Sequence, residues 1–372
     1  MIDVTGYIYN YKLDTPLSIS FHTWYYRNNL IVKLKYNDFT GLGEAAPFKP
    51  ITGDTQEEAI NELKKITFLE LDPLKDDLSV LHNKLNELNI ISATLRAAFD
   101  FAYHDLKGKI LNIPCYKIYS KEFRNIPNSV TVFIKESIDE TLTETKRILD
   151  LYPDLKVLKI KLKGDNDIER CKAIKKVVNK NIVFTLDANQ GFQSPELAVK
   201  TLNNITNILG NVILIEEPCP KNDLDKMKFV KDNISNSLIF ADESAVDLDS
   251  VKNIIRHNAA DGVNIKLQKA GGIWPSKAIA RLCFEANLKV MVGEMLDCTV
   301  ATTAGIHFAG STQNVILTDL DMDLDLVNHV DGASGFKNGS RTQNDNPGFG
   351  LKLNFDSINE LIKQKIIEFR QI

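Results

Sequence analysis

Six charged residues recur at matching places along the middle of this sequence. They are Lys159 and Lys161 in KIKLK, Asp187 in LDANQ, Glu216 in IEEP, Asp242 in ADES and Lys266 in NIKL. Three carboxylates brought together make a hard oxygen cage of the kind Mg²⁺ takes, completed by water or substrate oxygens. Lysines on either side of that cage could remove a proton from one face of a carbon and return one to the other. The metal would stabilise the developing enolate oxygen, a contribution of several kcal/mol. A lysine that acts as a base needs its pKa lowered toward neutrality, and burial with neighbouring cations (Lys159, the metal) pushes that way. Each motif alone reads as an amphipathic strand or a solvated strand end. Six in step on five successive strands point to one site.

The elements that must position them are short apolar strands: SVTVFI, VLKIKL, IVFTLDAN, VILIEEP, SLIFADES, GVNIKL, KVMVGEM and VILTDLD. Amphipathic segments such as DIERCKAIKKVV and PSKAIARLCFEANL separate them, the second opened by Pro275. Markers at the strand ends (159, 187, 216, 242, 266, 293 and 319) lie 24 to 29 residues apart. Eight such β-α units, with no G-x-G-x-x-G after any strand, predict a (β/α)8-type barrel and not a doubly wound sheet. The strand ends of a barrel converge on one rim, so the six side chains can surround one point. Lys159 and Lys161, two residues apart, face the same side.

Residues before about 120 read as α+β. Val4 to Leu13 and Asn29 to Tyr36 carry strand signals, and residues 41–55 form a Gly/Pro-rich loop. Thr55 with Glu58 predicts a capping box, and Ile90 to Lys107 a buried helix stopped by Gly108. After 328 a Gly/Asn-rich loop leads to a strand-like LKLNF and an amphipathic helix, SINELIKQKIIEF.

Composition excludes several classes. Lys+Arg of 45 against Asp+Glu of 49 gives −4, so no global basic field recruits nucleic acid. The five cysteines are odd in number and form no C-x-x-C, which argues for reduced thiols in a cytoplasmic protein over disulfides or structural zinc. No secretory leader is expected from the first residues, and no apolar run approaches the ~20 residues of a membrane helix.

KIKLK, LDANQGF, IEEP, ADES and GVNIKLQKAGGI resemble the muconate-lactonizing subgroup of the enolase superfamily, and within it the dipeptide epimerases of the L-Ala-D/L-Glu group. The resemblance implies a modified TIM barrel, (β/α)7β, over 126–328. An N-terminal α+β capping domain over 1–125 would be completed by about 329–372. It implies that Asp187, Glu216 and Asp242 bind one Mg²⁺, with Asn189 and Glu217 standing behind them. Lys161 and Lys266 would be the opposed acid/base pair, and Lys159 would help neutralise the substrate carboxylate. The activity implied is epimerisation of the C-terminal residue of a dipeptide, L-Ala-L-Glu or L-Ala-D-Glu, in murein peptide recycling, by an enzyme that relatives suggest is a homo-oligomer.

A D-x-D on the last barrel strand would hold the dipeptide's α-ammonium. TDLDMDLDL offers Asp319, Asp321, Asp323 and Asp325, all on one side if extended, and Asp319 and Asp321 end the strand. Side-chain selection would fall to capping loops near 20 and 50, which present His22, Arg27 and Thr52. Glu294 and Asp297 stand in GEMLD where relatives commonly have a small residue and a Glu; the extra carboxylate could favour a cationic dipeptide. Other reactions on the same scaffold, o-succinylbenzoate synthesis, N-acyl amino acid racemisation and muconate cycloisomerisation, use substrates without a free ammonium. A Schiff base on Lys266 and a non-catalytic binding module are further alternatives.

Overall fold

The computed structural model describes all residues except 165, 222, 325 and 327–329. Eight parallel strands form the central sheet: Ser129–Val132, Val157–Lys161, Val183–Asp187, Val212–Glu216, Leu238–Ala241, Gly262–Lys266, Lys289–Gly293 and Val315–Asp319. They are hydrogen-bonded in chain order, and a parallel bridge between Asn128 and Thr318 brings the eighth strand back to the first. This is the barrel that the strand repeat predicts, in the (β/α)7β form that the resemblance implies.

Strand alternation sorts the barrel interior into layers. Val157, Leu214, Phe240, Met291 and Leu317 fill the lower layer as one buried cluster. Two residues further along each strand the inward positions turn polar: Lys159, Glu216, Asp242 and Asp319, with Gly293 as the exception. The apolar plug thus supports a charged layer at the C-terminal rim.

Over that rim sits a second domain. Ile2–Ser18, Thr23–Tyr36 and Phe39–Ala45 form an antiparallel sheet covered by helices Gln56–Leu63, Leu78–Glu87 and Ala93–Ile110 around a core of their own. The capping box at Thr55 and Glu58 forms. Two local expectations are overturned. Gly108 does not stop the helix, which runs to Ile110; a side chain there would strike the backbone of Gly348, so the glycine permits a chain crossing. The C-terminal segment is not one helix, since it is helical over Phe355–Lys363 and then a strand, Ile367–Gln371, pairing antiparallel with Ile2–Ser18. The free edge of the capping sheet supplies backbone partners that amphipathic periodicity does not reveal.

Candidate active site

The strand register places the charged residues in rows. Lys161, Asp187 and Glu216 are cross-strand neighbours, and Lys266, Gly293 and Asp319 form a second row opposite. Asp242 follows the fifth strand directly. Ligand oxygens of Asp187, Glu216 and Asp242 all lie within 4.8 Å of one another, a buried group that could hold a metal ion.

Ammonium groups surround this cluster. Lys161 Nζ lies 2.6 Å from Asp187 and Lys266 Nζ 3.0 Å from Asp242. Lys159, 1% exposed, reaches Asp187 (3.1 Å), Glu216 (2.8 Å) and Asp319 (2.5 Å). Glu216 Oε1 and Asp242 Oδ2 receive no hydrogen bond, only the nearby lysine charge. Two buried carboxylate oxygens left open beside a third carboxylate suit a hard divalent cation.

Burial opposes the charge on Asp187, but Lys161 and Lys159 outweigh it and hold the carboxyl at about 2. Burial pushes Glu216 up to about 7 against the pull of Lys159. Lys266 departs from the sequence expectation. Burial and Lys159 do push its pKa down, yet the facing Asp242 carboxylate outweighs them and raises it above the ordinary lysine value.

Glu217 does not face the cluster centre. It accepts hydrogen bonds from the backbone N–H groups of Asp242 and Ser244 (2.7 and 3.1 Å), and so fixes the turn that carries Asp242. The Asn189 backbone N–H donates to Asp187 (3.0 Å), and its side-chain amide donates to Glu243 (3.1 Å).

Three participants were not singled out from sequence. Asn264 donates to Glu216 Oε2 (2.8 Å), and Gly293 leaves it room, since a Cβ there would lie 2.7 Å from the Asn264 amide. Lys269 is buried and pairs with Asp242 Oδ1 at 2.7 Å. Glu243, pushed up to about 8 by burial and by Asp242, stands behind Asn189. Asn264 was findable, being two residues before Lys266 on the same strand face.

One cavity joins Lys161, Lys266, Asn189, Thr131, Asp319, Asp321 and Glu294 to an apolar wall of Ile19, Trp24, Ile51, Phe133, Met295, Leu296 and Met322. Asp319 accepts from Ser129 (2.8 Å) besides Lys159, and Asp321 from the Thr131 backbone N–H (2.7 Å). The strand alternation expected to align four aspartates ends at Asp319, because the chain turns after it. Asp323 pairs instead with Arg341 (2.6 Å), and Asp325 lies outside the described residues.

The residues expected to select the side chain are placed differently. Arg27 is buried beside the cavity and not on its lining; its guanidinium donates to the Met322 carbonyl (2.6 Å). Thr52 shapes its own loop, accepting from the Phe48 N–H (2.8 Å) and donating to Asp54 (2.5 Å), while Ile51 faces the cavity. His22 packs on Trp24 and Phe48 (4.6 and 4.9 Å between ring centres) outside the lining.

Comparison with known proteins places this barrel and cap together. The mandelate racemase / muconate lactonizing enzyme N-terminal domain family matches residues 1–119, and the enolase C-terminal domain-like family matches 143–357. The chain belongs to this family, and its enzyme class is that of its epimerase and racemase relatives, the isomerases. It is 31% identical to the L-Ala-D/L-Glu epimerase of Bacteroides thetaiotaomicron over 94% of this chain and 87% of the relative. It is also 31% identical to the L-Lys-D/L-Arg epimerase of Methylococcus capsulatus, over 92% and 96%. A solved dipeptide epimerase from Methylococcus capsulatus, complexed with Mg and L-Arg-D-Lys, superposes with a TM-score of 0.83 at 30% identity, covering 94% of this chain and 98% of the other.

Proposed function

We propose that this enzyme epimerises the C-terminal residue of a dipeptide by a Mg²⁺-dependent 1,1-proton transfer. The observation that carries the reading is the pair Lys161 and Lys266, brought from the second and sixth barrel strands into one cavity on either side of the Asp187–Glu216–Asp242 cluster. Asp187, Glu216 and Asp242 would hold the metal. When bound, Mg²⁺ supplies positive charge that frees the lysines from those carboxylates and stabilises charge developing on the substrate carboxylate.

The lysines move the proton. A neutral amine at Lys161 or Lys266 takes the α-hydrogen as a proton, and the C–H electron pair moves into the carboxylate system. The opposite ammonium then protonates Cα from the other face, inverting it. Lys159 adds charge that favours the carbanion-like state, and Asp319 with Asp321 offers the acceptors for an α-ammonium. The dipeptide relatives support this choice of substrate class. L-Ala-L-Glu serves as the reference substrate on the same ground, although among the described residues no cation lines the apolar wall to meet a second carboxylate.

The test is a dipeptide library incubated with enzyme and Mg²⁺ in D₂O and read by mass spectrometry, beside N-succinyl amino acids. Deuterium at the C-terminal α-position, abolished by EDTA and by Asp319→Asn with Asp321→Asn, is expected. Deuterium in the acylated amino acids alone would move the reading to racemisation of N-acyl substrates.

A further inference from the structure

The dipeptide reading leaves one cavity residue without a task. Glu294, just past the seventh strand, is 9% exposed and shares the cavity with Asp319, Asp321, Met295, Leu296 and Met322. Its carboxylate is held in place, accepting from the Thr302 hydroxyl (2.6 Å) and from the Met322 backbone N–H (2.6 Å). Neither bond supplies a charge.

The charges around it do not balance. Asp319 is matched by Lys159, and Asp323 by Arg341. Among the described residues neither Asp321 nor Glu294 has a cationic partner within 4 Å. Arg27 lies near enough for its charge to be felt at Glu294, but its guanidinium donates to the Met322 carbonyl, and among the described residues no ion pair within 4 Å joins the two. Asp297 adds to the imbalance, buried with an Oδ1 that has no hydrogen-bond partner. Burial and the neighbouring Asp297, Asp321 and Asp323 carboxylates push the Glu294 carboxyl well above the usual range, and a cation placed beside it would favour its charged form. The α-ammonium of a dipeptide brings one positive charge, which Asp321 absorbs. A neutral side chain laid over Glu294 would leave it without a cationic partner, whereas a basic side chain there would complete an ion pair.

The opposite wall has the other character. Ile19, Trp24, Ile51 and Phe133 carry no charge, and Arg27 and His22, the cations expected there, are both off the lining.

Resting on the dipeptide reading above, we propose that the substrate's amino-terminal residue carries a basic side chain whose cation pairs with Glu294, and that its carboxyl-terminal residue is apolar. The stem of a lysine or arginine packs along Met295, Leu296 and Met322 while its head reaches the carboxylate.

The test compares α-deuteration of L-Lys-L-Leu, L-norleucyl-L-leucine, L-Ala-L-Leu and L-Ala-L-Glu by the Mg²⁺-loaded enzyme in D₂O. Norleucine keeps the lysine stem and removes its charge. The expected result is a kcat/KM for L-Lys-L-Leu at least about tenfold above that for L-norleucyl-L-leucine, corresponding to one charge-assisted hydrogen bond. In Glu294→Gln that ratio should fall toward one. If the variant does not fold, the wild-type ratio decides alone. Equal or better turnover of L-norleucyl-L-leucine or L-Ala-L-Glu overturns this inference and leaves the dipeptide reading standing. Absence of exchange in every dipeptide overturns both.

Discussion

At the scale of single residues, the two lysines make the sharpest prediction. If Lys161 and Lys266 serve opposite faces, Lys161→Ala and Lys266→Ala should each abolish epimerisation, with losses of about 10³-fold or more. Each should still wash deuterium into one epimer of the dipeptide and not the other, the two variants choosing opposite epimers. Chiral chromatography with mass spectrometry reads this directly; identical behaviour of both variants would remove the two-base scheme. Lys269 makes a second prediction. It holds Asp242 Oδ1, so Lys269→Met should raise the Mg²⁺ concentration for half-maximal activity by about 10- to 100-fold. A Mg²⁺ titration of initial rate measures it. Lys269 was missed because its signal is only a second lysine one helical turn after Lys266. The six rim residues were legible because strand ends repeat, and a repeat needs no knowledge of contacts. Arg27, His22 and Thr52 were not: Arg27 stands on the strand Thr23–Tyr36 and not in a loop, and the direction of all three side chains is decided by neighbours remote in sequence.

At the scale of elements, capping-domain carboxylates hold barrel helices by their exposed N-terminal amides. Glu44 accepts from the N–H groups of Cys298 and Ala301, at the start of Thr299–Gly310. Asp100 accepts from the N–H of Ile273 (2.6 Å) and from Trp274, at the start of Ile273–Glu285, and contacts His82 and His104. Each pairs negative charge with the positive end of a helix and fills orphan donors. Burial works against ionised Asp100, yet His104 and His82 overcome it and keep its carboxyl well below the usual range. A depressed carboxyl contributes stability that is complete above its unfolded value near ~4 and is lost as pH falls below it. Asp100→Asn should therefore cost about 3 kcal/mol at pH 7. The gap to the wild type should narrow on acidification below about pH 4, as followed by urea unfolding. Gly43 gives a second test at this scale. Its strand lies so close on helix Ala93–Ile110 that a Cβ would fall 1.8 Å from the Ala98 carbonyl. Gly43→Ala should destabilise by about 1–3 kcal/mol, seen as a lower Tm. No sequence pattern announces either contact, because the first joins residues that only the docked domains bring together and the second residues that only the folded cap brings together.

At the scale of the whole molecule, the site is built from two bodies: the barrel brings the charged rim, and the cap adds Ile19, Trp24 and Ile51 to the cavity's apolar wall. The barrel was legible from its period, and the cap's strands were legible in outline. The return of Ile367–Gln371 to the cap was not, since a short edge strand carries little pattern of its own. Where the bodies meet, the Ser20 hydroxyl donates to the Asn189 carbonyl (2.9 Å), tying the cap loop to the rim. The strand that follows, Thr23–Tyr36, carries Trp24 into the cavity wall, while Trp274, the other of the chain's two tryptophans, stacks on His82 away from it. That division makes the enzyme its own optical probe. In Trp274→Phe all indole emission arises at the substrate wall, so it should shift to shorter wavelength as a dipeptide displaces water. Occupancy then becomes measurable in the lysine variants, where no turnover exists to reveal it.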